Sequence, residues 1–333
     1  MDKIMLSYGS GGTLMHRLID SLFMKELGNK ILSQKKDSAI FDIGHKKIAF
    51  TTDSYVVKPI FFPGGDIGSL AVYGTVNDLA VCGAKPMYMS LGLIIEEGFE
   101  RKLLEKITVS IRASARKANV KIVTGDTKVV EKGACDQIFI NTSGVGGVYY
   151  DRLSVDEIKN GDLIIISGPI GDHAVSVLSK REGISFQTNI KSDSAPLNNI
   201  IPMILKASHK VRFMRDPTRG GVATTLNEIV KGRNFSISID EKEIPVRSGV
   251  KEACEILGFD PLYLACEGRV IAVVDKNDAQ KVLSTMRKSL IGHNAKIIGR
   301  VTSEYKGKVY LNTIAGGKRL VDMLSGEQLP RIC

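Results

Sequence analysis

Residues 66–83 read "DIGSLAVYGTVNDLAVCG". The stretch reads as a helix that stops at Gly83, the residue type that most easily takes the left-handed conformation closing a helix, with Pro86 following. Strands flank it on both sides. Upstream, "SAIFDI" (38–43) and "KKIAFTTDSYVV" (46–57) read as strands joined by a turn at "GHKK" (44–47). Downstream come a strand at 86–97, a helix at 100–120, and strands at 121–130 and 135–150.

After Asp151 the pattern restarts. "DLIIISGPIGDH" (162–173) is a strand running into a glycine loop, with a helix after it at 174–183. Further helices are expected near 196–209, 221–231, 248–257 and 277–291, and strands at 235–240, 269–274, 295–301 and 308–312. An α/β chain of the α+β type follows, with domains at 1–150 and 151–321 and a tail at 322–333. Ahead of all this, residues 14–27 place Leu14, Leu18 and Leu22 beside Met15, Ile19 and Phe23, the pattern of an amphipathic helix.

The 333 residues suffice for two domains, since domains usually hold roughly 100 to 200 residues. A formal net charge of +10 suits an anionic ligand or an acidic partner. The basic residues are dispersed, with no run of five or more, so nucleic acid is not the expected partner. No segment approaches the roughly 18 apolar residues of a membrane span, and the first residues lack the apolar core of a signal peptide. A cytoplasmic protein is the expectation. Cys82, Cys135, Cys254, Cys266 and Cys333 are an odd number at wide spacings, which argues against a disulfide framework or a cysteine-rich zinc site.

Four acids stand at expected strand or helix ends: Asp37, Asp53, Asp78 and Asp126. Mg²⁺ takes a few carboxylates and leaves positions for water and phosphate oxygens, so four acids from four elements could converge on one cation. Each could equally be a turn or capping residue. Glycine loops ahead of helices, "YGSGGT" (8–13), "GPIGDHA" (168–174) and "DPTRGGVATTL" (216–226), would let backbone N–H groups approach phosphates, or serve as ordinary turns. Neither a "GxxxxGK(S/T)" loop nor a "GxGxxG" after a strand occurs, which excludes the P-loop and Rossmann routes to nucleotide binding. Lys128 follows "GDT" directly, and Glu267 enters an apolar stretch at a strand start. Either could be functional, or Lys128 a solvated surface lysine and Glu267 a strand-end carboxylate. His173 reads as a helix cap or a phosphate contact, and the other histidines as surface residues. "LSGEQLPRIC" (324–333) has no regular periodicity, so Cys333 reads as a mobile, reactive thiol on a tail whose 12 residues from Asp322 could reach about 40 Å.

The set "YGSGG" (8–12), "DSAI" (37–40), "TTDSYVV" (51–57), "TVNDLAVCGAKP" (75–86), "TGDTKVV" (124–130), "GDH" (171–173), "DPTRGG" (216–221), "CEGR" (266–269) and "PRIC" (330–333) resembles the HypE family of hydrogenase maturation proteins. The resemblance spans essentially the whole chain. That family shares a superfamily with aminoimidazole ribonucleotide synthetase, selenophosphate synthetase and thiamine monophosphate kinase, and "PRIC" is the discriminating motif. What the resemblance implies is a two-domain PurM-like fold with a flexible tail. It also implies a homodimer whose N-terminal domains pair their sheets into a β-barrel, with ATP and Mg²⁺ on the first domain.

The resemblance further implies a chemistry. The tail cysteine would accept a carbamoyl group from the carbamoyltransferase HypF, ATP would drive dehydration of the thiocarboxamide to a thiocyanate, and the cyano group would pass to iron held by HypC and HypD. Carried over, Cys333 is the acceptor, Glu267 the base, and Lys128 the stabiliser of an imidate or a moving phosphoryl group. Asp37, Asp53, Asp78 and Asp126 would hold Mg²⁺. Gly11, Gly12, Asn77, Thr127, Asp216 and Arg219 would join Asp53 and Asp78 around the nucleotide, with "YGSGG" as a lid. The chain departs from its relatives at Lys36 and Asp37, where two consecutive acids are common. The residues alone also admit an ATP-dependent kinase or synthetase acting on a free small molecule, or a non-catalytic carrier using Cys333.

Overall fold

The protein is described by a computed structural model that covers all residues except 1–3, 10, 11, 35, 184–189, 325, 327, 328 and 330. The first half opens with helical turns, α1 (Thr13–Leu18) and α2 (Met24–Leu27), separated by a wider turn at Ile19–Phe23. A hairpin of β1 (Ala39–Ile43) and β2 (Lys46–Tyr55) follows, then the two-residue strands β3 (Phe61–Phe62) and β4 (Gly65–Asp66). Next come α3 (Ile67–Val81), β5 (Ala84–Glu96), α4 (Arg101–Lys117), β6 (Lys121–Val130) and β7 (Ile138–Val148).

Five of these strands form one open sheet in the order β1-β2-β7-β5-β6. Only the β5/β6 pair is parallel, and α4 supplies the crossover that parallel strands need.

Helix α3 organises this half. Asp66 caps it by accepting from the Gly68 and Ser69 N–H groups, while its own N–H donates to Ser69 Oγ. Every residue of the helix except Asp78 is buried. A helix apolar on all sides must lie inside, and α3 packs between the sheet and α4. Its first turns share a core with Tyr55, Met89 and Ile107, whereas Ala80 and Val81 enter a different core beside Ile200, Ile204 and Met214 of the second half. Close approach to the sheet relies on Gly74, where a β-carbon would collide with the Tyr55 hydroxyl.

The second half contains β8 (Leu163–Ile166), α5 (Asp172–Glu182), α6 (Ile200–Ala207), β9 (Val211–Arg215), α7 (Gly221–Val230) and β10 (Ser236–Asp240). It continues with α8 (Ser248–Leu257), β11 (Ile271–Val274), α9 (Ala279–Met286), β12 (Lys296–Thr302), β13 (Val309–Asn312) and β14 (Lys318–Leu320). A seven-stranded sheet runs β14-β13-β10-β12-β8-β11-β9. Both its faces are covered, which explains why "IIIS" and "IAVV" are continuously apolar: Ile164 and Ile166 face the core of α7, and Ile165 the core of α6 and α9.

Three features depart from the sequence reading. Strands β9 and β14 and the β3/β4 hairpin were not anticipated. Helix 14–27 is broken at the wider turn and buries none of its residues, leaving Leu22 and Phe23 exposed, because it lies on the rim of a cleft rather than over a core. The tail, expected to be mobile, is docked. No helix among the described residues is long and apolar enough to cross a membrane.

Gly74→Ala should test how tightly α3 is seated. A lost stability of about 1–3 kcal/mol is expected from the forced displacement of Tyr55, read as a lower midpoint of denaturant unfolding. An unchanged midpoint would mean that the ring yields at no cost.

Candidate active site

A cleft of about 250 Å³ opens where the two halves meet. Asp53 projects into it from β2, Asp78 from α3, Asp216 and Arg219 from the loop after β9, and Glu267 from the segment before β11. Asp37 and Cys333 also line it. With Glu228, six side-chain carboxyls therefore share one small volume.

Burial dominates their electrostatics. It pushes Asp78 well above the usual carboxylate range, and Asp53, Asp216 and Asp37 push it further against an opposing hydrogen bond from Thr51. Asp53 is raised by burial, with Arg219 acting the other way. Burial and then Asp37 lift Asp216 to about 7. Glu267 is driven well above its ordinary value by burial, then by Asp216, Asp193 and Asp53, and its Oε1 has no hydrogen-bond partner among the described residues. Asp37 is raised by burial although Arg215 binds it at 2.7 Å.

Two arginines face these acids, Arg215 half-buried and Arg219 exposed at the rim. Arg215 bridges Asp37 and Glu228, the latter at 2.8 Å, and His16 Nε2 lies 2.9 Å from the other oxygen of Glu228. Burial acts to lower Arg219, but Cys333, Asp53, Asp78 and Glu267 together raise it. A hydroxyl ladder stiffens the wall: Tyr55 donates to Asp53, and Thr142, 2.6 Å from Thr75, donates to the Ala71 carbonyl.

The tail brings Cys333 into this cleft. The Val56 N–H donates to the Cys333 carbonyl and the Lys58 N–H to the Arg331 carbonyl. Arg331 donates from Nε to the Val56 carbonyl and from Nη1 to Asp136 at 2.6 Å. Lys58 Nζ donates to the same carboxyl, and these two bonds hold Asp136 down at about 2. Ile332 and Leu329 are buried in a core that joins the first half to α5, α8 and Leu264 of the second.

Not every expected residue arrives. Asp126, Thr127 and Lys128 lie on the edge strand β6, where Lys128 pairs with Asp126 at 3.6 Å and both are 71% exposed. Register explains the separation. Ser54, Asn141, Gly92 and Asp126 are successive cross-strand partners, so Asp126 shares the face of Ser54, and Asp53 points the other way. Lys128 stands beside Ile94 on that same outer face.

Asn77 is buried, and its amide is committed to backbone: it donates to the Ala195 and Glu267 carbonyls and accepts from the Leu197 N–H. It joins the two halves rather than facing the cleft. Gly12 precedes α1 and lines a small cavity beside Arg219 and Cys333, while Gly11 lies outside the described residues. Sequence reasoning missed Arg215, Thr51, Tyr55, Glu228 and the Lys58–Asp136–Arg331 anchor. The one signal available was an arginine set directly before Asp216.

Two family models match: AIR synthase related protein, N-terminal domain, over residues 35–148, and AIR synthase related protein, C-terminal domain, over 159–312. Carbamoyl dehydratase HypE of Bradyrhizobium diazoefficiens is 49% identical over 330 residues, 98% of this chain and 95% of that protein. The chain belongs to the HypE family. A crystal structure of HypE in complex with ATP matches with a TM-score of 0.83 at 47% identity, covering 99% of this chain and 100% of the other. HypE in a HypE–HypF complex matches at 0.87 and 47%, covering 92% and 99%. The mixed α/β, two-domain PurM-like fold of the HypE family is thus the fold of this chain.

Replacing Arg331 by Met should loosen the docked tail, since hydrogen bonds to charged groups contribute roughly 1.5–3 kcal/mol. Alkylation of Cys333 by iodoacetamide is expected to accelerate about tenfold, with Cys82 and Cys266 unaffected, as followed by peptide mass mapping. An unchanged rate would show that other contacts suffice to seat the tail.

Proposed function

We propose that this chain is an ATP-dependent carbamoyl dehydratase whose substrate is a carboxamide carried on its own Cys333. The observation that carries the reading is the seating of Cys333 in an acidic cleft beside Arg219 and Glu267. The relatives described as carbamoyl dehydratase, and the HypE crystallised with ATP, supply the reaction class.

The chemistry follows from a poor leaving group. An amide oxygen must become a phosphate before it can depart. The carboxamide oxygen takes the γ-phosphoryl group of ATP, one N–H proton passes to a base, phosphate leaves with that oxygen, and the second N–H proton is lost as the C≡N bond forms. The products are a thiocyanate on Cys333, ADP and phosphate.

Glu267 is the residue proposed to take the proton: burial makes its carboxyl an unusually strong base, and its Oε1 has no competing partner. Arg219, which lines the cleft with Cys333 and the acids, would offer positive charge to the oxygen that becomes phosphorylated. Among the described residues no group of three or more acid, histidine or cysteine side chains is placed to hold a metal ion by itself. The donors nevertheless fit a hard cation in kind, being all oxygen and crowded, with their carboxyls raised first by burial and, for Asp78, by the neighbouring acids. Asp53, Asp78 and Asp37 would hold Mg²⁺, which when bound neutralises the phosphates of ATP.

The division of labour we infer places nucleotide and dimer contact in residues 1–150, the second domain in 151–321 and the carrier tail in 322–333, in a cytoplasmic enzyme. The outer face of the first sheet leaves Phe50, Tyr88 and Ile94 40%, 44% and 43% exposed, which supports its pairing with a second copy into a barrel. In such a homodimer the Asp126, Thr127 and Lys128 of β6 serve the partner's cleft. HypF, seen with HypE in a solved complex, is the proposed carbamoyl donor, and a HypC–HypD iron complex the proposed cyano acceptor.

Intact mass after incubation with carbamoyl phosphate, ATP, Mg²⁺ and the carbamoyltransferase tests the reading. A gain of about 43 Da that falls to about 25 Da only with ATP is expected, through the covalent intermediate, and Glu267→Gln should slow the second step about 10²–10⁴-fold. ATP consumed on a free small molecule with no adduct would sink it. Service across the dimer has its own test: copies bearing Lys128→Ala and Cys333→Ala, each inactive alone, should regain conversion when mixed. No recovery would confine Lys128 to its own chain.

A further inference from the structure

His173 is the second residue of α5 and has no exposed surface. Sequence reasoning made it a cap or a phosphate contact, but its ring faces the tail. Nε2 lies 2.9 Å from the Ile332 carbonyl and Nδ1 lies 2.8 Å from Ser192 Oγ. A carbonyl can only accept, so Nε2 carries the proton, and Nδ1 accepts from the Ser192 hydroxyl. Ser192 is itself fixed: its Oγ accepts the Ser194 N–H, and its N–H donates to the Pro63 carbonyl. Phe62 meets the imidazole edge-on, with ring centres 5.4 Å apart. Orientation and tautomer are therefore set by the body of the protein, and the single donor is spent on the peptide that precedes Cys333.

Three successive tail carbonyls are gripped in this way. That of Arg331 accepts from the Lys58 N–H and Arg181 Nη2, that of Ile332 from His173, and that of Cys333 from the Val56 N–H. The outer two are held mostly by backbone. The middle one depends on a side chain that makes no other donation. Intramolecular reactions lose about a hundredfold when a reacting group is misplaced by 1 Å, so the register of the peptide that carries the thiol matters to the reaction.

We propose that His173, oriented by Ser192, is a positioning residue for dehydration: its Nε2–H fixes the register of the peptide before Cys333, so that the carboxamide meets Arg219 and Glu267. This rests on the carbamoyl dehydratase reading. It adds that the substrate is located by its main chain, and that Ser192 takes part in aiming it.

The test uses the full chain with its carbamoyltransferase. His173→Phe keeps a ring against Phe62 and removes the donor; His173→Gln restores an N–H; Ser192→Ala frees the imidazole without touching the tail. Carbamoyl loading of Cys333 and the ATP concentration for half-maximal rate should stay at wild-type values in all three. Single-turnover conversion of carboxamide to thiocyanate should fall about 10–100-fold in His173→Phe, recover at least partly in His173→Gln, and fall several-fold in Ser192→Ala.

Wild-type conversion rates in His173→Phe would overturn the proposal, as would a shift confined to the ATP requirement. Absence of rescue by Gln would also count against it. Should His173→Phe not fold, Ser192→Ala decides the matter alone, a wild-type rate being the contrary result. If the wild-type chain itself makes no thiocyanate, the dehydratase reading fails and this inference falls with it, whereas active wild type beside unimpaired variants overturns this inference alone.

Discussion

Helix α3 is buried on every side and belongs to two cores at once, and this constraint fixes the rest of the molecule. Its first turns are locked against the five-stranded sheet, and Ala80 and Val81 are locked into the second half. Asn77 adds three hydrogen bonds to backbone on the far side. The side chain at position 78 consequently has one direction left, into the cleft. Carboxyls that repel one another can be kept together only by a scaffold that does not move, since two like charges about 4 Å apart repel by roughly 4 kcal/mol at an effective dielectric of 20. Burying each Leu or Ile of α3 contributes roughly 2 kcal/mol in return.

The same scaffold holds the tail. Ile332 and Leu329 pack in the core that contains the start of α3, so docking of Cys333 and integrity of the helix draw on one set of contacts. The polar grip is different in kind. Asp136, Lys58 and Arg331 are partly exposed, which makes their ion pairs individually weak and easily exchanged. Apolar anchoring with a weak ionic clasp suits a segment that must be held in register for chemistry and also reach another protein to be loaded and unloaded.

Much of this was legible in the sequence, for reasons that differ by element. The α3 stretch ends in a glycine with positive φ, as a helix stop should, and β6 begins and ends at the residues the pattern marked. Strand β9, "VRFMR", escaped because Arg212 and Arg215 break its apolar run. Their charges meet Asp162, Asp275, Asp37 and Glu228, none of them within the strand. The acid cluster was legible as a set of residue types, yet type could not tell Asp53 from Asp126. That distinction is a matter of strand parity across four paired strands. His173 was misread for the same reason: its partner lies 159 residues away.

Parity also bears on why such an enzyme would need two copies. A single chain presents Asp53 and Asp78 on one side of its sheet and Asp126 and Lys128 on the other, with an uncovered apolar surface between the latter and solvent. No rotation of a side chain carries Lys128 through a sheet. Either those residues are spectators, or the face they occupy is closed by another sheet whose own cleft they then approach. An edge strand ten residues long, parallel to its only neighbour and exposed along nearly its whole length, is a liability in a monomer. The pairing proposed above would remove that liability and give the β6 residues a task in the same step, and the reactive carboxamide would then be enclosed by groups from both chains while remaining tethered to one.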